Sequence, residues 1–415
     1  MEFYQSKPDT KVRDRRNCLA LTTELRLKRI LQTLLLCVIL TTMSFYAAFL
    51  RPLLFRMKPE RAHHLTVEAC RIAGRIPLVP QLARACLEYS APELNTQVAG
   101  LDFANPIGLA AGWDKSGRAL RMLDHLGFGF AEVGSISARL SLGNPKPRLF
   151  RLPVDRAIVV NYGLPNDGAE VVAGRLESYR TQVPLGVNIV KTNDGPDAPT
   201  SSHDSILADY ERSVELMWRY ASYLTLNLSC PNANGGTDFF AVHGNVSRLL
   251  ERLRSHHVTC PVFLKVPPNP DPAALERLLV EAEAFDFVRG FIFNLPMGKP
   301  PTLSLTTPPS IWNTMPGAVA GKPVEHLINT CIRALYARMP RDRYVIIGAG
   351  GVFNAEDAYQ KIRLGASLVQ IYSALIYEGP GVVKQINRDL SELLKRDGYQ
   401  HVSQAVGTGI SRRDS

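Results

Sequence analysis

A cysteine between two asparagines, at the end of an apolar run, is the first feature of this sequence with clear chemical potential. The segment LNLSCPNANGG spans 226–236 and places Asn227 and Asn232 on either side of Cys230. A thiol loses its proton far more readily than a serine hydroxyl, and it tolerates a pocket that excludes water. Cys230 is therefore a candidate base for removing a proton from carbon. The alternative interpretation is a structural cysteine.

Eight short apolar segments alternate with amphipathic stretches, and they predict the elements that position Cys230. The segments lack strict alternation, which is typical of parallel strands covered on both faces. They lie at 106–111, 130–137, 184–190, 223–229, 262–268, 290–295, 344–350 and 367–373, with helical patterns at 167–180, 207–220, 271–284, 324–338 and 355–364. This α/β pattern predicts a (β/α)8 TIM barrel. The alternative, a doubly wound open sheet, would favour a GxGxxG motif after an early strand, and none is found.

Functional side chains of such a barrel gather at the C-terminal ends of the strands. Those ends hold four asparagines and two lysines but almost no carboxylates, which disfavours a metal centre or a glycosidase. The polar candidates are Lys115, Ser135, Asn188, Asn227, Cys230, Asn232, Lys265, Asn294, Tyr372 and Ser373. The seventh strand ends in GAGG (348–351), a phosphate-binding type of backbone. Amides pair with heterocycles and lysine stabilises a reduced flavin, so we expect an FMN site with a planar, imide-containing substrate.

Several motifs resemble those of the dihydroorotate dehydrogenase family. They are NPIGLAAGWDKSG (105–117), GNPKPRLFRLP (143–153), LGVNIVKT (185–192), NLSCPN (227–232), GAGGV (348–352) and GASLVQIYSALIYEGP (365–380). PERAHHLTVEA (59–69) resembles the N-terminal domain of class 2, the membrane-bound form that uses quinone. The resemblance implies an enzyme that oxidises dihydroorotate to orotate in pyrimidine synthesis and passes electrons to ubiquinone.

The resemblance also implies roles for individual residues. FMN contacts would come from Ala111, Lys115, Ser135, Asn188, Asn227, Lys265, Gly321, Gly350, Gly351, Tyr372 and Ser373. The substrate would meet Lys115, Asn227, Asn232 and Asn294, with Cys230 as the base. A quinone tunnel would be lined by His63, Arg151 and Tyr372.

Some positions depart from the class 2 pattern. Cys230 stands where class 2 has serine, and hydrophobic residues replace expected polar ones at Val160, Ala233, Phe293 and Leu295. Asn161, one residue beyond Val160, is a candidate replacement for the missing substrate amide. Two alternatives therefore stay open: a paralogue that oxidises another dihydropyrimidine-like ring, and a flavin-binding membrane protein without turnover.

The N-terminal region predicts a membrane anchor. Residues 30–50 carry no charge and would form a helix of roughly 31 Å, about one hydrocarbon thickness. The predicted order is a basic arm at 1–29, a transmembrane helix at 30–50, a membrane-associated helical domain at 51–92, the FMN barrel at 93–400 and a tail at 401–415. A mitochondrial inner membrane location is expected, with a bacterial inner membrane as the alternative. A cleaved secretory signal would need a clearer cleavage site.

Composition narrows the possible partners. The net charge of +10 is concentrated in residues 1–57, where ten Lys and Arg exceed four Asp and Glu by six. No basic stripe interleaved with aromatic residues remains, so nucleic-acid binding is not expected. The 7 cysteines are scattered without zinc-ligand spacing, and we expect neither disulfides nor a metal. We expect a monomer that contacts the lipid bilayer.

Overall fold

Eight parallel strands form a closed barrel, which confirms the predicted (β/α)8 class and excludes the open sheet. The structure is a computed structural model that describes residues 45–195, 197–229 and 236–410. Its strands are β1 (Thr96–Val98), β2 (Leu101–Phe103), β3 (Ile107–Leu109), β4 (Phe130–Ile136), β5 (Leu149–Leu152), β6 (Ala157–Val160), β7 (Leu185–Ile189), β8 (Tyr223–Asn227), β9 (Val262–Val266), β10 (Val288–Phe293), β11 (Ala318–Gly321), β12 (Val345–Ala349) and β13 (Ala366–Ile371). Around the barrel the order is β3, β4, β7, β8, β9, β10, β12, β13.

The barrel strands are apolar because both of their faces are covered. Every residue of β3, β4, β7, β8 and β9 is buried. Inward side chains pack within the barrel, and outward ones pack against the surrounding helices. The eight predicted segments coincide with the eight barrel strands, although most of the strands end one or two residues earlier than predicted.

A short antiparallel hairpin lies at the N-terminal end of the barrel. Strands β1 and β2 pair from Thr96 to Phe103. Phe103 packs edge-on against Phe130 with ring centroids 5.4 Å apart, and Tyr223 continues the same cluster. Aromatic and aliphatic side chains therefore fill this end of the barrel, and a ligand must enter from the other end.

A second small sheet lies over the C-terminal end of the barrel. In it β6 pairs antiparallel with both β5 and β11. It carries Ile158, Val160 and Ala320 next to the barrel mouth. The sheet therefore covers the end of the barrel where the predicted site residues gather.

Helices surround the barrel between the strands. They are α1 (Arg51–Arg56), α2 (Pro59–Ala73), α3 (Val79–Leu87), α4 (Leu120–Leu123), α5 (Ala169–Glu177), α6 (His203–Met217), α7 (Gly236–Ala241), α8 (Asn245–Arg254), α9 (Pro272–Glu283), α10 (Pro309–Trp312), α11 (Glu325–Tyr336), α12 (Ala355–Arg363), α13 (Ser373–Glu378) and α14 (Val382–Arg396). Helix α6 begins four residues before the predicted start because the Ser202 side chain accepts a hydrogen bond from the Ser205 amide at 3.2 Å.

The N-terminal helices pack beside the barrel mouth. Tyr46 donates a hydrogen bond to the Ile376 carbonyl at 2.7 Å, and Arg51 donates to the Tyr377 carbonyl at 3.0 Å. The predicted transmembrane segment lies outside the described residues except for its last six positions. Within the described residues, from 45 onwards, no helix has the length and apolar character needed to cross a membrane.

Candidate active site

A cavity of about 190 Å³ opens at the C-terminal end of the barrel, beneath the small sheet. Its wall combines barrel strand ends with apolar side chains of β6 and β11. The predicted site residues on this wall are Ala111, Lys115, Ser135, Asn227, Lys265, Asn294, Gly321, Gly350, Gly351, Tyr372 and Ser373. Residues separated by more than 250 positions in the sequence therefore meet around one space.

Hydrogen-bonded amides connect neighbouring strand ends beneath the cavity. Asn294 donates from Nδ2 to Asn227 Oδ1 at 3.1 Å, and Asn227 donates from Nδ2 to Ser135 Oγ at 3.1 Å. Ser135 in turn donates to Asn188 Oδ1. Asn188 is fully buried one step behind the wall, and it donates from Nδ2 to Glu132 Oε1 at 2.8 Å. We call these five side chains the amide ladder.

Glu132 is a carboxylate close to the site that the analysis of strand ends did not include. It lies in the middle of β4 with no exposed surface. Its Oε2 atom accepts hydrogen bonds from Tyr223, Thr225 and Gln370, and Lys265 Nζ lies 4.0 Å from its Oε1 atom. A survey of strand ends misses a residue in mid-strand. A charged residue inside a fully apolar strand was the available signal, since it has no exposed face to occupy.

Lys115 lies between the cavity and the N-terminal helices. Its Nζ is 2.8 Å from His63 Nε2, donates to the Gly112 carbonyl at 2.7 Å and lies 4.2 Å from the centroid of the Tyr162 ring. Burial lowers the pKa of Lys115 to about 7, against the opposing effect of the Asp114 carboxylate. The charge of this lysine therefore changes near neutral pH.

The glycine segment after β12 leaves the backbone open to the cavity. Gly350 and Gly351 have φ of +82° and +79°, a region that side chains rarely adopt. A Cβ atom on Gly351 would lie 2.4 Å from Glu325 Cβ. The adjoining turn is held by Lys322, whose Nζ binds Asp357 at 2.7 Å and Glu325 at 2.6 Å. Only glycine fits this close approach between the loop and helix α11.

Val160 and Asn161 face in different directions. Val160 lies on the cavity wall, whereas Asn161 does not. The Asn161 Oδ1 atom accepts a hydrogen bond from Asn144 Nδ2 at 3.0 Å. Successive side chains of extended backbone point to opposite sides, so a chain that turns Val160 inward turns Asn161 away. The predicted replacement of the missing amide by Asn161 therefore needs a different backbone register from the one observed.

The three predicted tunnel residues occupy separate positions near the cavity. Tyr372 is on its wall. His63 contacts Lys115, and burial lowers the pKa of His63 well below its ordinary value. Arg151 donates to the Met57 carbonyl at 3.1 Å and stacks over the Phe55 ring at 4.5 Å. Side chains of helices α1 and α2 thus contact the barrel mouth directly.

Two predicted residues, Cys230 and Asn232, lie outside the described residues. Their nearest described neighbour is Ser229, whose backbone carbonyl and Oγ accept hydrogen bonds from Asn294 Nδ2 at 3.3 and 3.2 Å. The chain therefore leaves β8 at the cavity wall, directly before Cys230.

Comparison with known proteins agrees with this geometry. The sequence profile described as dihydroorotate dehydrogenase matches residues 93–394. The chain belongs to this family. A dihydroorotate dehydrogenase (quinone) from Acidithiobacillus ferrooxidans is 38% identical over an alignment of 374 residues that covers 86% of this chain and 98% of that protein. The protein of the same name from Sphingopyxis alaskensis is 37% identical over 368 residues, covering 87% and 96%.

Solved structures of the dihydroorotate dehydrogenase family share the fold. The ligand-free type enzyme from Eimeria tenella has a TM-score of 0.73 and 29% identity, covering 85% of this chain and 99% of that chain. The Eimeria tenella enzyme in complex with ferulenol has a TM-score of 0.67 and 30% identity, covering 80% and 93%. These matches extend beyond the barrel into the N-terminal helices.

The cavity wall fits a flavin nucleotide. Gln370 Oε1 and the Tyr162 hydroxyl are buried without a hydrogen-bond partner in the described part of the chain, and both residues line the cavity. Buried polar atoms normally have partners, so these two atoms await groups of a bound ligand. Positively charged Lys265 and the open glycine backbone suit an anionic ring and a phosphate.

Proposed function

We propose that this protein oxidises dihydroorotate to orotate with bound FMN and passes the electrons to ubiquinone, in the synthesis of pyrimidine nucleotides. The observation that carries the proposal is the single cavity where strand-end amides, two lysines and a glycine loop meet in a member of this family. No other arrangement in the described residues combines ring-binding amides with a phosphate-binding loop.

The proposed FMN contacts are the predicted ones. They are Ala111, Lys115, Ser135, Asn188, Asn227, Lys265, Gly321, Gly350, Gly351, Tyr372 and Ser373, with Asn188 acting through Ser135. Bound FMN supplies the acceptor for a hydride. Lys265 brings positive charge to the wall, where it favours the anionic reduced ring. The glycine amides hold the phosphate without a competing side chain.

Replacing Gly351 by alanine should weaken FMN binding strongly. The new Cβ would meet Glu325 at 2.4 Å on a backbone with φ of +79°, a strain of about 1–3 kcal/mol before the clash is counted. We expect purified Gly351→Ala to contain less than half of the wild-type FMN, measured by absorbance. Gly174→Ala is the matched control, since helix α5 leaves open space there. Equal FMN content in both variants would contradict the proposed phosphate loop.

The proposed chemistry at the substrate separates a hydride from a proton. Cys230 Sγ would accept the proton from one ring carbon of the substrate, and the neighbouring carbon would give up a hydride to the acceptor that bound FMN supplies. Lys115, Asn227, Asn232 and Asn294 hold the substrate so that its acidic carbon faces the sulfur. The position of Ser229 beside Asn294 supports this placement of Cys230. The covering sheet excludes water from the ring, which protects the reduced flavin.

The quinone side of the proposed enzyme lies under the N-terminal helices. His63, Arg151 and Tyr372 are the proposed contacts. The apolar cluster of Leu149, Ile158 and Ala320 adjoins Tyr372 and suits an uncharged quinone ring. A hydrophobic acceptor can thus approach from the side opposite to the amide ladder.

We also propose that the domain order predicted from the sequence is correct and that the protein is anchored in the mitochondrial inner membrane. Supporting observations are exposed apolar side chains on the N-terminal helices, on the segment before α1 and on the loop between α2 and α3, namely Phe49, Leu53, Leu65, Ile72, Ile76 and Leu78. Basic residues Arg56, Lys58 and Arg61 lie among them. Such a surface suits the interface of an anionic bilayer, and a bacterial inner membrane would provide the same surroundings.

A second candidate substrate is another dihydropyrimidine-like ring. Val160, Phe293 and Leu295 make part of the wall apolar where polar residues were expected. A substrate group left unpaired there would lose about 1–3 kcal/mol. A ring without that polar group would fit the observed wall better.

Reduction of the bound flavin separates these possibilities. The purified protein should be yellow with one FMN per chain, and anaerobic dihydroorotate should bleach it within seconds. Bleaching by other dihydropyrimidines alone would favour the second candidate. A yellow protein that none of these rings bleaches would support a flavin-binding protein without turnover, and a flavin-free protein would end the proposal.

A further inference from the structure

The amide ladder has a fixed direction from one end to the other. All the groups within hydrogen-bond reach of Glu132 are donors, and an ammonium lies 4.0 Å away, which is the environment of an ionised carboxylate. Such a group accepts hydrogen bonds only. The amide of Asn188 must therefore turn its nitrogen towards Glu132 and its oxygen towards Ser135.

The orientation of the Asn188 amide in turn constrains the hydrogen bonds of the next side chains in the amide ladder. Because the Ser135 proton goes to Asn188, its oxygen can only accept, so Asn227 presents Nδ2 to it. The Asn227 oxygen then faces Asn294, which must give its Nδ2. The Asn294 oxygen takes no part in the ladder and belongs to a residue on the cavity wall. The Ser229 backbone supports the same orientations, because its N–H donates to Asn227 Oδ1 at 3.4 Å and its carbonyl accepts from Asn294 Nδ2 at 3.3 Å. The buried carboxylate and the Ser229 backbone thus agree on which atom of Asn294 is left for a ligand.

The side-chain amide of Gln370 is also oriented by Glu132, in this case through a direct hydrogen bond. Its Nε2 donates to Glu132 Oε2 at 2.8 Å. Its Oε1 is buried and has no partner within the described residues. The amide is held in one orientation, and its oxygen is left for a donor that the described residues do not supply.

We propose that Glu132 is a positioning residue that sets the hydrogen-bond direction of the cavity wall, directly at Gln370 and together with the Ser229 backbone at Asn294, so that both amides offer oxygen atoms to N–H groups of the bound rings. This inference rests on the proposed function for the identity of the rings. Its basis in the structure is the ladder, the second amide on the same carboxylate and the complete burial of Glu132.

Glu132→Gln keeps the shape of the side chain but lets it donate as well as accept. The Gln370 amide can then reverse and present nitrogen where the ligand also has a donor. We expect the Kd for orotate to rise at least about tenfold, measured from the change that orotate causes in the flavin absorption spectrum, while FMN remains at one per chain. Gln370→Met removes the offered oxygen itself and should give the same loss.

Tyr223→Phe is the matched control. It removes a hydrogen bond of 3.2 Å to Oε2 of the same carboxylate but is not a member of the ladder. Its Kd for orotate should stay within about twofold of the wild-type value. A wild-type Kd in Glu132→Gln, or an equal rise in Tyr223→Phe, would overturn the proposal. If Glu132→Gln does not fold, a wild-type Kd in Gln370→Met would overturn the proposal.

The midpoint potential of bound FMN gives a readout that a merely structural role would not move. Loss of a negative charge close to Lys265 and Gln370 should favour uptake of electrons, so the potential of Glu132→Gln should rise while that of Tyr223→Phe stays constant. A wild-type protein that binds FMN but not orotate would contradict the proposed function. The midpoint potential of FMN would then be the remaining test of the inference about Glu132, and an unchanged potential in Glu132→Gln would refute it.

Discussion

Replacement of Cys230 by alanine is expected to slow the reduction of bound FMN by dihydroorotate by about 10²- to 10⁴-fold, the usual contribution of a positioned base. The proton on the substrate carbon would have no acceptor, whereas the wall that holds FMN would be unchanged. Stopped-flow absorbance under anaerobic conditions measures the rate, and the yellow colour of the variant reports that FMN is still bound. An unchanged rate would remove the sulfur from the mechanism.

Cys260→Ala provides the matched control. Cys260 is half-buried just before β9 begins, at the end of the barrel opposite the cavity, and burial raises the pKa of its thiol to about 11. It cannot act as a base on a substrate at the mouth, and its loss should leave the rate within about twofold. Cys230→Ser should keep part of the wild-type rate, since serine occupies this position in the class 2 pattern. A Cys230→Ser variant as slow as Cys230→Ala would show that the site depends on the acidity of the thiol.

The sequence predicted the barrel well because its signal is local. The strands of the barrel are buried on both faces and therefore appear as mainly apolar runs, of which β3 and β12 are clear cases. The small sheet of β5, β6 and β11 escaped prediction. Its strands have only four residues each, and β11 pairs with β6 from more than 150 positions away, so the sheet depends on tertiary packing as well as on a local pattern.

The rule that functional side chains lie at the C-terminal ends of barrel strands predicted only part of the site. That rule found Asn227, Lys265 and Asn294, which the structure places on one wall. The rule missed Glu132 because this residue lies in the middle of β4, where it binds Asn188 behind the cavity wall. It also could not decide whether Val160 or Asn161 faces inward, because that depends on the pairing of β6 with its neighbours. The role of Cys230 stays a prediction.

Lys115→Met should have the second large effect, on the binding of the orotate anion. Loss of a charged hydrogen bond of about 1.5–3 kcal/mol would raise the Kd for orotate by roughly 10- to 150-fold. Methionine keeps the length of the side chain and removes only the charge and the donors. The spectral change of FMN on titration with orotate measures the Kd, and an unchanged value would exclude Lys115 from the substrate site.

The pH dependence of the same titration identifies the charge as the cause. Burial lowers the pKa of Lys115 to about 7, Asp114 and Glu60 oppose this shift, and Arg148 adds to it. Deprotonation removes the positive charge, so orotate affinity should fall by up to about tenfold per pH unit once the pH passes the pKa of Lys115 in the free protein, about 7. The bound anion raises the pKa of Lys115 in the complex, and the fall ends where the pH reaches that higher value. Lys115→Met should show no such fall.

Lys361→Met is the control that distinguishes an effect on orotate binding from the effect of removing any buried lysine. Burial lowers the pKa of Lys361 to about 7 as well, but its Nζ donates to Asn329 Oδ1 at 2.6 Å, away from the cavity wall. For both lysines the unfolded chain binds more protons between pH 7 and the ordinary pKa of 10.5, so the folded state gains stability as the pH rises through this window. Both substitutions should flatten that gain in thermal unfolding. Only Lys115→Met should also abolish the pH dependence of orotate binding, because only Lys115 brings its charge to the ligand.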